Sequence, residues 1–327
     1  MTNQFDSTTT TDDVLAGIDL HGKNVLITGL SAGLGIETAR ALAAHGANIV
    51  GTARNLPKAE KATLPVREAA QARGSSLDLI QLDLADLSNV RKAADQLIAE
   101  GRQFDIVIAN AGVMATPFGH TKEGFETQFG TNFIGHFVFI NRIASLIRSG
   151  GRVVTLSSAA HAISDVNLND PNFEKADYDE WVAYGRSKTA VALLAVEFDR
   201  RYRHRGIRAT AVHPGAVQTE LQRHYSPEID EAFIKQINEA NAAQGLPPFQ
   251  WKTIPQGAAT TVWAAVVAPA AAVGGRYCED CHVAEINDSE GVTNGVRSYA
   301  LNAEHAAALW AKGEELTGEQ FGITQSL

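Results

Sequence analysis

Short β-branched or leucine-rich runs alternate along this chain with longer alanine-rich stretches of helical period, and that rhythm constrains the fold more than any other feature. Residues 24–28, 48–51, 77–82, 105–109, 152–156 and 207–212 read as strands, with a short seventh near 275–277. Residues 33–45, 57–73, 88–100, 125–149, 179–204, 256–267 and 303–316 read as helices. Pro65 interrupts the second of these, and Ser88 is placed to cap the third. Parallel strands need a crossover of about a dozen residues or more, and these helices supply it. The expected architecture is α/β: one doubly wound parallel sheet of about seven strands, with helices on both faces. Such sheets bind ligands beyond the carboxyl ends of their strands, where the strand order reverses.

One segment breaks the rhythm. Residues 216–255 carry Pro227, Pro247, Pro248 and Pro255 among aromatic side chains, which points to a lid inserted into a single domain over 14–327. Residues 1–13 are rich in Thr, Asp and Asn and are expected to be loose. With 327 residues and 45% hydrophobic composition the chain can bury a sizeable core, which excludes disordered and collagen-like classes. A net charge of −9, with Lys and Arg thinly spread, lacks the basic footprint of a nucleic-acid partner. The two cysteines, Cys278 and Cys281, argue for a reducing compartment. No apolar run reaches membrane-spanning length and the polar start has no apolar signal core, so a soluble cytoplasmic protein is expected.

The stretch Thr28, Gly29, Leu30, Ser31, Ala32, Gly33, Leu34, Gly35 follows the first strand and opens the first helix. Glycines there permit a tight turn and let the backbone approach a pyrophosphate. The helix start adds unpaired N–H groups and the positive end of a dipole. A glycine-rich turn without a ligand is the plain alternative, and its place after the first strand of an alternating fold weighs against that.

Tyr184 and Lys188 stand four apart on an expected helix, so both side chains share one face. A phenol titrating at about pH 10 is a poor base at neutral pH, and a neighbouring ammonium favours its phenolate. Such a tyrosine can pass a proton to or from an alcohol or carbonyl oxygen. Alone the spacing is weak, because most such pairs lie on a surface helix. The flanks strengthen it. Ser157 and Ser158 end the fifth strand, Asn110, Ala111 and Gly112 the fourth, and His213, Pro214 and Gly215 the sixth, all at the ligand-bearing edge. Asn132 sits in the helix after the fourth strand.

Together these motifs resemble the short-chain dehydrogenase/reductase family over about residues 20–220. The gap from Ser158 to Tyr184, the run Ser157-Ser158-Ala159-Ala160-His161 and the run Val212-His213-Pro214-Gly215 are similar to its retinol-dehydrogenase-like and WW-domain-oxidoreductase-like branch. The ending, Gly275 to Asp280 with Leu309, Trp310 and Glu315 to Gly318, is similar to bacterial members of that branch. The resemblance implies a Rossmann fold, a nicotinamide dinucleotide and oxidoreduction at CH–OH groups. It implies Tyr184 as the acid/base and Lys188 as the residue that tunes it and holds the nicotinamide ribose. It implies Ser158, rather than Ser157, as the hydroxyl that orients the substrate oxygen, and Asn132 as support for a water-mediated proton relay. Gly29, Gly33, Gly35 and Ile36 fall at the pyrophosphate, Asp83 at the adenine, Asn110 and Gly112 at a ribose, and Pro214, Gly215 and Thr219 beside the nicotinamide. Ser31, Leu34, Leu84, Ala111 and Val217 complete the implied cofactor contacts. A homodimer or homotetramer is the assembly it suggests.

Sites that prefer NAD carry an acid after the second strand. Here that position holds Ala53, and Arg54 follows. A guanidinium suits a 2′-phosphate bidentately, so NADP(H) is expected over NAD(H). Ala32, where many NADP-binding relatives carry a second basic residue, leaves NAD(H) open. Cys278, Cys281 and His282 match C-x-x-C-H, but no second cysteine pair completes a zinc site and no export signal accompanies a haem, so no metal is expected. His161 reads as a capping or packing residue or as one facing the substrate pocket, and His213 as shaping its turn.

The expected substrate is a mainly apolar alcohol, ketone or aldehyde. Val113, Met114, Phe118, Tyr225, Phe233, Ile234, Phe249 and Trp251 are the candidate lining, with Arg223 and Lys252 the single cations among them. Aromatics that merely pack the lid onto the sheet are the plain alternative. A non-catalytic dinucleotide-binding regulatory or scaffold protein is the second functional reading. The intact set Asn132, Ser158, Tyr184 and Lys188 separates the two, since a sensor has no need of all four.

Overall fold

Val25, Leu26 and Ile27 have no exposed surface, as a parallel strand covered on both faces requires. They lie in β1 (Asn24–Thr28), flanked by β2 (Asn48–Ala53) on one side and β4 (Phe104–Ala109) on the other. β3 (Leu77–Gln81), β5 (Ile147–Leu156), β6 (Arg208–His213), β7 (Tyr277–Glu279) and β8 (His282–Val283) complete one eight-stranded sheet in the order β3-β2-β1-β4-β5-β6-β7-β8. All pairings are parallel except β7 with β8. The order reverses between β1 and β4, which opens the ligand crevice at their carboxyl ends. This computed structural model describes residues 5–222, 234–235, 238–239, 242, 248–290 and 294–322.

The helices are α1 (Thr11–Leu15), α2 (Leu34–Ala44), α3 (Leu56–Ala62), α4 (Leu64–Ala72), α5 (Leu87–Ala99), α6 (Gly135–Arg142), α7 (Glu180–Tyr202), α8 (Ile254–Val262), α9 (Ala270–Val273) and α10 (Ala303–Thr317). One face of the sheet carries a core of Leu97, Phe133, Phe137, Leu193, Phe198 and Trp310, from α5, α6, α7, α10 and the turn before α6. The other carries Leu15, Leu42, Val66, Ala259 and Val262, from α1, α2, α4 and α8. Among the described residues no helix is long and apolar enough to cross a membrane.

Several expectations need correction. The stretch 125–149 is not one helix. A π-helical turn (Phe129–Ile134) leads into α6, a 3-10 turn (Ala144–Leu146) follows, and residues from Ile147 belong to β5. Ile147 pairs with Phe104, and Gly150 at φ +79° cannot continue a helix comfortably. The sheet has an eighth strand because Asp280 and Cys281 form a two-residue hairpin turn with φ of 45° and 57°. Such turns favour Asn and Gly, so this pair carried no signal. The segment 1–13 is not loose throughout: Thr10 caps α1, and Thr11 is buried with its hydroxyl 2.5 Å from Glu37. Of the insertion 216–255, both ends are described. Val217 bridges Lys252, whose N–H donates to the Ala216 carbonyl at 2.9 Å. Tyr225 and Phe233, like Arg223, lie outside the described residues.

The cap of α5 is Asp86, not Ser88. Its carboxylate accepts the N–H groups of Ser88 and Asn89, at 2.9 and 3.1 Å. Asp86→Ala is therefore expected to cost about 1–2 kcal/mol, and Ser88→Ala much less. Urea-unfolding midpoints check this, and equal losses would return the cap to Ser88.

Candidate active site

The glycine-rich turn is held by backbone. Gly29 and Leu30 both donate their N–H to the Thr52 carbonyl at 2.9 Å, tying the turn to the end of β2. Gly29 lies at φ +83°, and a β-carbon there would sit 2.9 Å from the Ala111 α-carbon. A β-carbon on Gly35 would sit 2.6 Å from both the Gly29 carbonyl and Asn110 Nδ2. Gly33 caps α2 without a side-chain acceptor, so the first-turn N–H groups of this eleven-residue helix are available to an anion. The cradle fits the pyrophosphate of a dinucleotide. Ser31, Leu34 and Ile36 are partly exposed around it, and Thr219 packs over Gly33. Asn110 spends its amide on the Thr28 carbonyl, at 2.9 Å, closing the turn between β1 and β4.

Arg54 is exposed at the end of β2, one residue past buried Ala53. Leu82 donates to the Ala53 carbonyl at 3.0 Å, which sets Asp83 on the neighbouring strand end. Asp83 accepts from the Ala85 N–H, and the Leu84 carbonyl closes on Gly135 of α6. Past β6 and Pro214, Gly215 turns at φ +82° against the Lys252 side chain, and Lys252 is ion-paired with Asp280.

Lys188 is 5% exposed, and its Nζ donates to the Leu156 carbonyl at 2.8 Å. Burial pulls its pKa down to about 8. The ammonium lies 5.6 Å from the centre of the Tyr184 ring, which stands edge-on to Trp181. Asn132 is buried, accepting from the Val113 N–H at 2.8 Å and donating to the Val113 carbonyl and Ser187 Oγ, both at 2.9 Å. Asn132 and Lys188 meet at Gly112, where a β-carbon would lie 3.0 Å from Asn132 Oδ1 and 3.6 Å from Lys188 Nζ. The two serines part company. Ser157 is buried and donates to the Lys188 carbonyl at 2.8 Å, whereas Ser158 is partly exposed. Ser158 Oγ accepts from the Ala160 N–H at 3.2 Å, which leaves its own proton to donate.

His136 joins these parts, and the sequence reading missed it. Thr28 Oγ1 accepts from the Asn110 and Ala111 N–H groups at 3.0 Å, so its proton goes to His136 Nε2 at 2.9 Å. His136 Nδ1 then donates to the Asn132 carbonyl at 2.9 Å. Its one sequence signal is a place four residues beyond Asn132 on a helical segment. Cys278 and Cys281 are buried free thiols, and among the described residues no group of three or more His, Cys, Asp or Glu is arranged to hold a metal.

Residues 23–230 match the model of the short chain dehydrogenase family, and the chain belongs to that family. It is an oxidoreductase with the family's Rossmann-type sheet. A "Probable oxidoreductase" of Streptomyces lividans is 39% identical over 302 residues, 91% of this chain and 98% of the relative. A crystal structure of a protein from Mycobacterium paratuberculosis is 32% identical with a TM-score of 0.70, covering 96% of this chain and 99% of that one. A short chain dehydrogenase from Burkholderia cenocepacia, solved in complex with NADP, is 26% identical with a TM-score of 0.60, covering 80% of this chain and 98% of that one.

Burial holds the pKa of both His136 and His161 at about 4, against 6.5 for the free side chain. Between about pH 6.5 and 4 the unfolded chain takes up both protons and the folded chain takes up neither. Stability present at neutral pH is thus lost as pH falls through this window. Each site contributes a slope of about 1.4 kcal/mol per pH unit there. His136→Asn is expected to flatten the pH dependence of urea-unfolding stability by one proton. An unchanged slope would mean that His136 is not buried neutral.

Proposed function

We propose that this oxidoreductase interconverts an alcohol and a carbonyl on a mainly apolar small molecule, using NADP(H) in preference to NAD(H). The observation that carries the reading is the burial of Lys188 beside Tyr184, with a neutral carbonyl as its hydrogen-bond acceptor and no carboxylate paired with it among the described residues. An ammionium so placed is costly, and perturbed groups of this kind cluster at functional sites. The nicotinamide, when bound, supplies or takes the hydride. Tyr184 gives the proton to the substrate oxygen as a carbonyl is reduced, or takes it as an alcohol is oxidised. Lys188 favours negative charge on the phenol oxygen, and Ser158 donates a hydrogen bond to the same substrate oxygen. Both amide protons of Asn132 are spent on Val113 and Ser187, so we assign it to positioning, a narrower part than a proton relay.

Arg54 at the rim of β2, with Ala53 where an acid would stand, supports NADP(H). So do relatives solved with NADP or NADPH. Phe249 and Trp251 meet edge to face at 5.1 Å, and half-exposed Phe118 packs on Tyr178, which supports an apolar pocket. Lys252 is neutralised by Asp280 and so offers no free charge to a phosphate or carboxylate.

An assay of apolar ketones and aldehydes against small phosphorylated carbonyls, with NADPH, tests the reading. Apolar substrates are expected to have the higher kcat/KM, and Tyr184→Phe to lower kcat by about 10²–10⁴-fold with NADPH binding retained. Turnover surviving in Tyr184→Phe would sink the assignment. Arg54→Ala is expected to weaken NADP(H) by about 1.5–3 kcal/mol and NAD(H) far less, by fluorescence titration. Equal losses would remove Arg54 from the 2′-phosphate.

A further inference from the structure

The peptide unit between Ser158 and Ala159 is gripped at both ends by imidazoles. Its carbonyl accepts His161 Nδ1–H at 2.8 Å and the His161 backbone N–H at 3.0 Å. Its N–H donates to His213 Nδ1 at 3.3 Å. The protons are assignable from partners. His161 Nε2 accepts the Arg297 N–H at 3.1 Å, so the ring proton sits on Nδ1. His213 Nδ1 accepts both the Ala159 N–H and the Gly215 N–H, at 3.3 and 3.4 Å, so its proton sits on Nε2. The two rings hold opposite tautomers, each suited to the end of the peptide it meets.

We propose that His161 and His213 form a clamp on the Ser158–Ala159 peptide and are positioning residues that aim the Ser158 hydroxyl at the substrate oxygen. The inference rests on the alcohol–carbonyl reading given above. Rotating this peptide changes ψ of Ser158, held at 156°, and with it the Ala160 N–H that orients Oγ. The clamp is itself anchored. The His161 carbonyl accepts from Tyr299 Oη at 2.6 Å and shares the Thr189 hydroxyl, at 3.1 Å, with the Ser164 carbonyl at 2.8 Å, and its ring packs on Tyr277 with centres 4.8 Å apart. Thr189 follows Lys188 on α7, so Ser158 is registered to the helix that carries Tyr184. His213 joins the same peptide to Gly215, the loop assigned to the nicotinamide. Burial keeps both rings neutral, with pKa values of about 4 for His161 and about 3 for His213.

The test is a set of variants of the full chain assayed with NADPH and an apolar ketone. His161→Leu removes the donor to the Ser158 carbonyl. It is expected to lower kcat by about 10²-fold, the scale of a misplaced reacting group, with NADPH affinity unchanged. In a Ser158→Ala background the same substitution is expected to cost almost nothing more, because the two act as one unit. His161→Asn keeps an N–H near the Nδ1 position and is expected to recover at least about tenfold of the loss, as restored positioning requires. It also covers the case in which His161→Leu does not fold. A full additional loss in the Ser158→Ala background, or His161→Asn as impaired as His161→Leu, overturns the clamp. Tyr184→Phe run alongside separates the two claims. If Tyr184→Phe is inactive and His161→Leu is normal, the clamp fails and the reaction stands; if Tyr184→Phe is active, both fall.

Discussion

Taking an ammonium out of water costs several kcal/mol unless something compensates it, and this fold takes out Lys188. The structure answers by joining Lys188 to the end of β5 twice. Its Nζ donates to the Leu156 carbonyl, and its own carbonyl accepts from Ser157 Oγ, each at 2.8 Å. Strand and helix cannot slide past one another without stranding the charge. The other parts of the site are measured from this joint. Ser158 is the next residue beyond Ser157, Tyr184 lies one turn back along α7, and Ser187 receives the Asn132 amide.

Around that buried cation the imidazoles that join the parts of the site are uncharged. His136, His161 and His213 are all held neutral by burial, and the charge on Lys188 further disfavours protonation of His136 and His213. A neutral imidazole offers one donor and one acceptor at fixed separation. His136 uses them between Thr28 and the Asn132 carbonyl, linking β1 to the π-helical turn before α6. A second cation at His136 or His213 would be repelled by Lys188, and one at His161 or His213 would leave a backbone N–H facing another donor.

Much of this was legible beforehand for physical reasons. Strands buried on both faces read as short apolar runs, so β1, β4, β5 and β6 and the residues at their carboxyl ends could be placed. The turn from Gly29 to Gly35 announced itself because a side chain at either end would collide with backbone or with Asn110. The same apolar signal misled over 125–149. Periodicity alone does not separate a buried strand from a buried helix, and pairing with Phe104 decided where β5 begins. The hairpin at Asp280 and Cys281 escaped because neither residue is a usual carrier of positive φ. Ser88 and Asp86 are both good cap types, and the extended backbone at Asp86, with its carboxylate on the Ser88 and Asn89 N–H groups, makes it the cap.

By itself the sequence determined the order of strands and helices, the glycine cradle, and the chemical types gathered at the strand ends, because each is written in local spacing. The choice of Ser158 over Ser157 was implied by resemblance, but the burial of Ser157 arose only when α7 packed on β5 and took its hydroxyl, leaving Ser158 the partly exposed one. The partners of the histidines were decided in the same way. Thr28 and His136 are 108 residues apart, and His161 and Arg297 are 136 apart. Hydrogen bonds act over about 3 Å and depend on direction, so no periodicity along the chain encodes them until folding brings those atoms together.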